Sequence, residues 1–258
     1  MNTLTKSSNI DATLEPIKGQ LAALTRILNK EGILSYSGHA AARVPGRDAL
    51  IIHGINDSRA GVVPEQMGIV DFDLNVLEGP RGYKPPREAF IHTEIFRNRP
   101  DINASVHIHS DACMMFTVVE GVDLALIKSH AVRWRGGVPV HADPSHIKSR
   151  EQGAGLAKTL GSCYGAMIRA HGGVIVSENV PALLVDAVHF DENAKACLQA
   201  AAIGKIKPLT AAELDLLAEN NDNRAQHVYK LWSYYVGKAI DEGVVPAGWE
   251  GLVQEAVY

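Results

Sequence analysis

Two histidines in one short stretch are the first residues whose type and spacing suggest chemistry. The stretch NASVHIHS, residues 103–110, places His107 and His109 two positions apart. Successive side chains of a β-strand alternate between faces, so a strand here would direct both imidazoles to one face and the neighbouring apolar residues to the other. Two neutral imidazoles on one face are good ligands for a borderline divalent ion. The pair predicts a metal site, with hydrogen-bonded or solvent-facing histidines as the alternative.

The preceding segment, PPREAFIHTEIFRNRP, adds a carboxylate and another imidazole. A helix is predicted after Pro85, because Pro86 suits the first helical position. On that helix Glu88 and His92 stand four residues apart, on a stripe that is otherwise apolar. Directing them inwards is costly unless they are paired or coordinate an ion. An exposed pair on the helix surface is the alternative interpretation.

A further histidine, His171, lies between two short apolar runs, GAMIRA and GGVIVS, and two glycines follow it. Glycines permit close backbone approach and unusual dihedral angles. A lone histidine here would more often be structural, but beside two other imidazoles it becomes the natural third ligand. Three histidines that leave a coordination position open make a catalytic arrangement. Most of the remaining histidines, at positions 53, 130, 141, 146, 189 and 227, are interpreted as spectators.

Composition excludes several classes of protein. The chain has 258 residues, 46% of them hydrophobic, and a formal net charge of −4, which disfavours a nucleic-acid or anionic-membrane partner. No apolar run approaches the roughly 20 residues of a membrane span, and the first residues have no apolar core of signal-peptide type. The three cysteines form no CxxC pair. We expect a single domain over residues 1–258, free thiols and a cytoplasmic location.

The elements that must position the histidines follow from periodicity and capping. Helical spacing predicts helices over 15–31, 148–160 and 180–204, and Thr210 with Glu213 forms a capping-box signature that opens a C-terminal helix, broken around ENNDN. Alternation predicts strands over 48–53 and 68–77, in addition to the histidine strand. Strands and helices are mixed and no nucleotide-binding glycine motif is present. We therefore expect an α/β sandwich with a largely antiparallel sheet.

The motifs taken together resemble the class II aldolase/adducin family. They are Glu88-x3-His92, His107-Ile-His109 and His171-Gly, with the flanking segments RPDINASVHIHS and GAMIRAHGGVIVSENVPALLVDAV, spread over roughly residues 16–240. The resemblance implies a three-layer α/β/α sandwich with a central, mainly antiparallel, nine-stranded sheet. It also implies a divalent metal, commonly zinc or manganese, on the three histidines, with Glu88 as ligand or acid/base. Iron or cobalt would suit the same ligands. Tetramers with active sites at subunit borders are usual.

Two departures from the sugar-phosphate aldolases bear on the substrate. Those enzymes carry Gly-Asn-x-Ser where this chain has SGHAAARVPG, so Gly38 is kept and His39 replaces the asparagine. They also carry a hydroxyl pair where this chain has Pro86 and Arg87. Phosphate is bound by a cradle of N–H and O–H donors, and its loss disfavours a phosphorylated substrate. His39 becomes a candidate substrate-binding residue.

Other residues are candidates for binding a carboxylic acid. Arg133 and Arg135 flank Trp134 in SHAVRWRGGVP, and arginine binds carboxylate in a bidentate fork while tryptophan can stack on a ring. A plain surface loop is the alternative. Tyr235, with its neighbours in YKLWSYYV, could enter the site of another subunit, although helix packing is the favoured interpretation. The segments SGHAAARVPGRDALIIHG and SHAVRWRGG look closer to the family's decarboxylases of hydroxylated aromatic or pyridine dicarboxylates, such as dihydroxyphthalate, than to its aldolases.

The resemblance and the residues favour a metal-dependent carbon–carbon lyase that decarboxylates a non-phosphorylated ortho-hydroxy aromatic acid or diacid. Glu88 is the candidate proton donor to the ring carbon, and His92 would position Glu88 or relay protons. A class II aldolase acting on a hydroxy-keto acid or a sugar is the alternative. A metal-free, adducin-like interaction module is a remote one, because all three histidines and the glutamate are present.

Overall fold

A computed structural model describes the backbone of residues 7–220 and 223–254, and the side chains from residue 14 onwards to residue 253 within those ranges. The limits of the expected domain, residues 1–6 and 255–258, therefore lie outside the described residues. The helices are α1 (Ser7–Lys30), α2 (Phe90–Asn98), α3 (Asp111–Met115), α4 (Arg150–Leu160), α5 (Val180–Ile203), α6 (Ala211–Glu219), α7 (Arg224–Asp241) and α8 (Glu250–Gln254). The strands are β1 (His39–Arg43), β2 (Ala49–His53), β3 (Met67–Asp71), β4 (Val76–Glu78), β5 (Ala104–Ile108), β6 (Val140–His141), β7 (Gly165–Ile168) and β8 (Gly172–Ser177).

Within the described residues the strands form one sheet in the order β4-β3-β2-β1-β5-β8-β7-β6. Six of its seven pairings are antiparallel, and β6 pairs with β7 in parallel. The prediction of nine strands is therefore wrong, since the sheet has eight and is mixed. The parallel pair arises because α4 separates β6 from β7 along the chain, and a crossover through a helix returns the second strand in the same direction.

The sheet lies between two helical layers, each with its own apolar core. Leu21 and Leu28 of α1 and Leu184 of α5 pack with Ala104, Val106 and Ile108 on one face. Ile91 and Ile95 of α2 and Leu156 and Leu160 of α4 belong to the core on the other face. The predicted α/β/α layering and the predicted apolar face of the histidine strand are confirmed. Both faces of β5 are buried, because helices cover both sides of the sheet.

The predicted strand 68–77 is in fact two strands separated by a turn. The Asp71 carboxylate accepts hydrogen bonds from the N–H groups of Asp73 and Asn75, at 2.9 and 2.8 Å. Leu74 takes a positive φ of 64° within the same turn. Asparagine and aspartate favour such turns because their side chains bond to backbone two or more residues away. The alternation of apolar residues continued through the turn and concealed it.

Two helix predictions in the C-terminal half are confirmed, and the helix predicted after Pro85 is present but begins later than expected. Thr210 accepts the N–H of Glu213 at 3.2 Å while the Glu213 carboxylate accepts the N–H of Thr210 at 2.8 Å, so the capping box is present. The C-terminal helix is interrupted between α6 and α7, as predicted, although residues 221–222 lie outside the described residues. In contrast α2 begins at Phe90, and Glu88 lies in a turn before it rather than on the helix.

Across the described residues, no helix is both long enough and apolar enough to cross a bilayer.

Candidate metal centre

Three of the predicted ligands are brought together by the pairing of two central strands. β5 and β8 run antiparallel with His107 opposite Val174 and Ile108 opposite Gly173. In this register the end of β5 lies beside the start of β8. His109 follows directly after β5 and His171 precedes β8 in the tight turn from β7. The three imidazoles therefore meet at one end of the sheet.

The distances make the group compact. One ligand atom from each of Glu88, His107, His109 and His171 can be chosen so that all four lie within 4.8 Å of one another. The ring centroids of His107 and His109 are 4.7 Å apart, those of His107 and His171 4.9 Å, and those of His109 and His171 4.7 Å. Each pair is oriented edge to face, with interplanar angles of 65°, 85° and 81°.

Glu88 reaches the same centre from the turn before α2. Its Oε1 atom accepts the backbone N–H of Ile147 at 2.9 Å, which fixes the carboxylate against the loop before α4. Its Oε2 atom lies 3.7 Å from Nε2 of His171 and 3.9 Å from Nε2 of His107. One carboxylate oxygen is thus anchored by the fold, and the other faces the imidazoles.

The histidines are held in the form that binds a metal. His107 Nδ1 lies 3.0 Å from the carbonyl oxygen of Gly173 and must donate to it, so a neutral His107 carries its lone pair on Nε2. That Nε2 atom and both ring nitrogens of His171 are buried without a hydrogen-bond partner among the described residues. Burial, reinforced by the neighbouring imidazoles, holds the pKa of His107 well below its usual range and lowers that of His109 to about 4.

These features fit a divalent cation. Orphaned buried nitrogens are costly, and neutral imidazoles with an anionic carboxylate are a donor set that zinc, manganese, iron or cobalt accepts. The Nδ1 bond to a backbone carbonyl is the kind of outer contact that orients a ligating histidine. The four residues are the ones that the sequence predicted as ligands, and their ligand role stays a prediction.

Comparison with known proteins assigns the chain to a family. The family model described as Class II Aldolase and Adducin N-terminal domain matches residues 19–198. The chain belongs to the class II aldolase and adducin family. The match includes all four residues of the cluster and all eight strands of the described sheet.

Individual relatives narrow the resemblance. The chain is 27% identical over 201 residues to the 3,4-dihydroxyphthalate decarboxylase of Arthrobacter keyseri, covering 71% of this chain and 78% of the relative. It is 30% identical over 185 residues to the 3,4-dihydroxyphthalate decarboxylase of Rhodococcus jostii (strain RHA1), covering 67% and 74%. The predicted resemblance to the decarboxylase-like branch is confirmed. Among solved structures, the L-fuculose 1-phosphate aldolase from Glaciozyma antarctica PI12 has a TM-score of 0.78 at 19% identity over 94% of each chain, and so shares the fold.

His92, the predicted partner of Glu88, contacts other residues in this class II aldolase family member. Its Nε2 atom lies 2.7 Å from Nδ1 of His39, and its Nδ1 atom lies 2.6 Å from Oγ of Ser105. Burial lowers the pKa of His92 to about 3, so this imidazole is neutral. Among the described residues, no hydrogen bond or ion pair joins His92 to Glu88, which lies in the turn before α2. Ser105, His92 and His39 instead form a hydrogen-bonded series that ends beside His107. The ring centroid of His39 is 5.3 Å from that of His107.

His39, predicted as a substrate-binding residue, has little open surface. It is 4% exposed, and its Nδ1 atom is engaged by His92. Burial, with the neighbouring His92 and His107, holds its pKa well below its usual range. The structure therefore places His39 as a neutral group between His92 and the cluster residue His107.

Arg133 and Arg135, predicted to bind carboxylate, line a separate cavity of about 420 Å³. Arg133 is already paired, with Glu178 at 2.9 Å and Asp186 at 3.2 Å, and its guanidinium lies 3.5 Å from the ring centre of Tyr164. Trp134 between them is 1% exposed and packs edge to face on Phe190, so its face is not free for a ring. None of the four cluster residues borders this cavity.

Tyr235 lies on α7, against the first apolar core and beside Lys238 and Glu31. Burial raises the pKa of its phenol. This is the helix-packing arrangement that the sequence favoured. A contribution of Tyr235 to the site of a neighbouring subunit stays a prediction.

Sequence reasoning missed a fourth histidine at the rim of the centre. His146 Nδ1 lies 3.4 Å from Oε1 of Glu88, and its ring centroid is 5.1 Å from that of His171. The side chain of His146 is 61% exposed, so it is open to an approaching molecule. No local pattern marks this position, because it sits in the irregular segment HADPSHIK and reaches Glu88 only through packing.

The turn that presents His171 depends on a glycine, and changing it should be costly. Gly172 has a φ of 153°, and a Cβ there would overlap the carbonyl oxygen of Ile108. We expect Gly172→Ala to reduce the free energy of unfolding by about 3 kcal/mol, through overpacking and backbone strain. Urea denaturation measures the change. The same substitution at Gly237 of α7, where nothing lies within 4 Å, should be neutral or stabilising. Equal changes in the free energy of unfolding for the two variants would contradict the requirement for glycine at position 172.

Proposed function

We propose that this protein is a divalent-metal-dependent carbon–carbon lyase that decarboxylates a non-phosphorylated ortho-hydroxy aromatic acid or diacid. The observation that carries the proposal is the convergence of Glu88 with His107, His109 and His171. Among the described residues, Nε2 of His107 and both ring nitrogens of His171 are buried without a hydrogen-bond partner. The two relatives named 3,4-dihydroxyphthalate decarboxylase support decarboxylation as the reaction.

The ion would be held by His107, His109 and His171, with Glu88 as a further ligand or as the acid/base. Zinc and manganese are the first candidates, and iron or cobalt would suit the same donors. When bound, such an ion supplies a Lewis acid that stabilises negative charge developing on the substrate. His107 is oriented for this role by its Nδ1 bond to the backbone of Gly173.

The chain's own residues account for the proton that the reaction requires. Decarboxylation breaks the bond between the ring carbon and the carboxylate carbon, releases carbon dioxide and leaves an electron pair on the ring carbon. A proton must then reach that carbon, and Glu88 in its protonated form is the proposed donor. The N–H of Ile147 anchors Oε1, so the proton would be delivered from Oε2, which faces the cluster. His92 is proposed to act as a positioning residue, because it holds the imidazole of His39 by a hydrogen bond.

The proposal that the substrate carries no phosphate group rests on the residues around the candidate metal centre. Pro86 and Arg87 stand where the family's aldolases carry hydroxyl groups, and His39 is buried and bonded to His92. Proline has no N–H to offer a phosphate. An acid with carboxylate and hydroxyl groups suits the site better, and Arg133, Arg135 and His39 remain proposals for its recognition.

The reaction can be tested directly. Metal-loaded protein incubated with a panel of ortho-hydroxy aromatic diacids should release carbon dioxide, measured by a coupled assay or by mass spectrometry of the product. Hydroxy-keto acids and unphosphorylated sugars serve as the matched panel for aldol cleavage, with aldehyde release as the readout. Aldehyde without carbon dioxide would replace the decarboxylase by the alternative, a class II aldolase.

Metal content separates both enzymes from an adducin-like interaction module. Protein purified without chelator should contain about one divalent ion per chain by elemental analysis. Protein that binds no ion when zinc and manganese are supplied would contradict the lyase. We further propose a cytoplasmic homotetramer. The three cysteines are free, which suits a reducing compartment, and light scattering coupled to size exclusion measures the assembly.

A further inference from the structure

Arg59 is a buried cation without a carboxylate partner. The residue is 9% exposed, and its Nε and Nη1 atoms donate to two backbone carbonyls, Gly38 at 2.9 Å and Asp57 at 2.6 Å. Among the described residues no acidic oxygen lies within ion-pair distance of it. The nearby Asp57 carboxylate instead accepts the N–H of Gly54 at 2.6 Å and the amide of Gln66 at 3.2 Å. Buried charges in proteins are normally paired, so Arg59 is an exception that requires a reason.

The backbone contacts place Arg59 beside the candidate metal centre. Gly38 directly precedes β1, whose His39 lies opposite His107 of β5. The backbone of Gly38 packs so closely on the carbonyl of His107 that a Cβ at Gly38 would approach that oxygen to 2.8 Å. Because Arg59 donates to Gly38, its guanidinium lies near the end of β5, where His109 begins.

One edge of the guanidinium remains available. The Nη2 atom of Arg59 has no hydrogen-bond partner among the described residues, and it is not sealed from solvent. Arg133 and Arg224 differ in this respect, because both are tied to Glu178 and Asp186. Arg59 is therefore a preoriented cation with an open donor, close to the residues proposed to do chemistry.

We propose that Arg59 forms an anion subsite beside the candidate metal centre and binds a carboxylate of the substrate. The assignment rests on the proposed function for the class of substrate, an aromatic acid or diacid. A carboxylate at Nη2 would supply a directly bonded counter-charge through a charge-assisted hydrogen bond. It would also orient the acid relative to Glu88 and the three histidines. Arg133 and Arg135, by contrast, line a cavity that none of the cluster residues borders.

The test uses phthalate, a dianionic aromatic acid that lacks the hydroxyl group needed for turnover, and its uncharged counterpart phthalamide. Isothermal titration calorimetry is performed on metal-loaded protein and on chelator-treated protein, in which the carboxylate cannot ligate an ion. Wild-type protein should bind phthalate in preference to phthalamide in both states. Arg59→Gln should weaken phthalate binding by roughly 10- to 100-fold, the usual effect of losing a hydrogen bond to a charged group, and should leave phthalamide unchanged. Arg59→Lys keeps the charge, so its affinity for phthalate should lie between those of wild-type protein and Arg59→Gln.

Controls separate charge recognition from a structural role of the loop. Thermal unfolding verifies that each variant is folded, and Arg81→Gln, at an exposed arginine, should bind phthalate like wild-type protein. Equal weakening by Arg59→Lys and Arg59→Gln, equal loss of phthalamide, or failure of wild-type protein to bind phthalate would overturn the subsite. A loss confined to Arg133→Gln or Arg135→Gln would do the same.

The proposed function and the subsite can fail separately. Phthalate affinity that depends on the charge of residue 59 supports the subsite even if no carbon dioxide is ever released from any acid. Conversely, carbon dioxide release with a Michaelis constant unaffected by Arg59→Gln would keep the lyase and remove the subsite.

Discussion

Replacing Glu88 by glutamine is expected to lower the rate of carbon dioxide release by about 10²- to 10⁴-fold while leaving most of the metal bound. The amide has the size of the carboxylate, and its oxygen can still accept the N–H of Ile147, so the turn before α2 should keep its shape. It cannot deliver a proton to the ring carbon. The expected loss is therefore in kcat, with a smaller change in KM. Steady-state kinetics and elemental analysis of the same preparation measure both quantities.

A matched control for this prediction lies on the adjoining helix. Glu94 is 3% exposed and is paired with Arg97 at 3.2 Å and with Arg150 at 3.5 Å. Glu94→Gln removes a carboxylate that is more deeply buried than that of Glu88, so it should lower stability and leave kcat within a few-fold of wild type. If Glu88→Gln retains wild-type turnover, the carboxylate has no catalytic role and the proton must come from another group.

Replacing His107 by alanine is expected to abolish both metal binding and turnover. His107 is fully buried, and its Nε2 atom has no hydrogen-bond partner among the described residues. Two histidines would remain, His109 beyond the end of β5 and the turn residue His171, and the described part of the chain fixes neither by a bond like that from His107 to Gly173. Elemental analysis should show less than about a tenth of the wild-type content, as removal of a structural ligand does.

Stability provides a second measurement for His107→Ala that does not need a substrate. A ligand that binds only the folded state stabilises it, by about 2.7 kcal/mol at a hundred-fold excess over its dissociation constant. Added zinc or manganese should therefore raise the unfolding temperature of wild-type protein and leave that of the variant unchanged. His189→Ala, at a buried histidine stacked on His130 with centroids 3.8 Å apart, should respond to metal like wild type. A fully loaded and active His107→Ala protein would contradict the centre.

Much of the fold was available from local patterns. The alternation in ASVHI, the capping box at Thr210 and the long apolar helix after Pro181 depend on residues a few positions apart. Such patterns report where an element begins and which side chains share one of its faces, and the structure confirms them. Pattern reasoning failed where a turn interrupts a continuing alternation, as at Leu74, and where a short strand such as β6 has too few residues to show a period.

The candidate site, like the fold, could be predicted from the sequence only in part. The pair His107 and His109 could be predicted because their spacing matches the period of a strand. The position of Glu88 was misjudged, since it is set by the turn before α2 and by the N–H of Ile147, a residue 59 positions away. Arg133 looked free in sequence but is paired with Glu178 and Asp186, residues that only packing brings to it.

The sequence by itself determined the donor chemistry: three imidazoles and a carboxylate in an otherwise ordinary α/β chain, and a family that the motifs identify. Only the tertiary structure decided that these groups share one centre, that His92 contacts His39 and that His146 lies at the rim. It also decided that, among the described residues, no carboxylate lies within ion-pair distance of Arg59. The physical reason is the separation along the chain over which each effect acts. Side-chain periodicity arises between near neighbours in the chain, whereas convergence depends on the β5–β8 register and on loops packed across the end of the sheet.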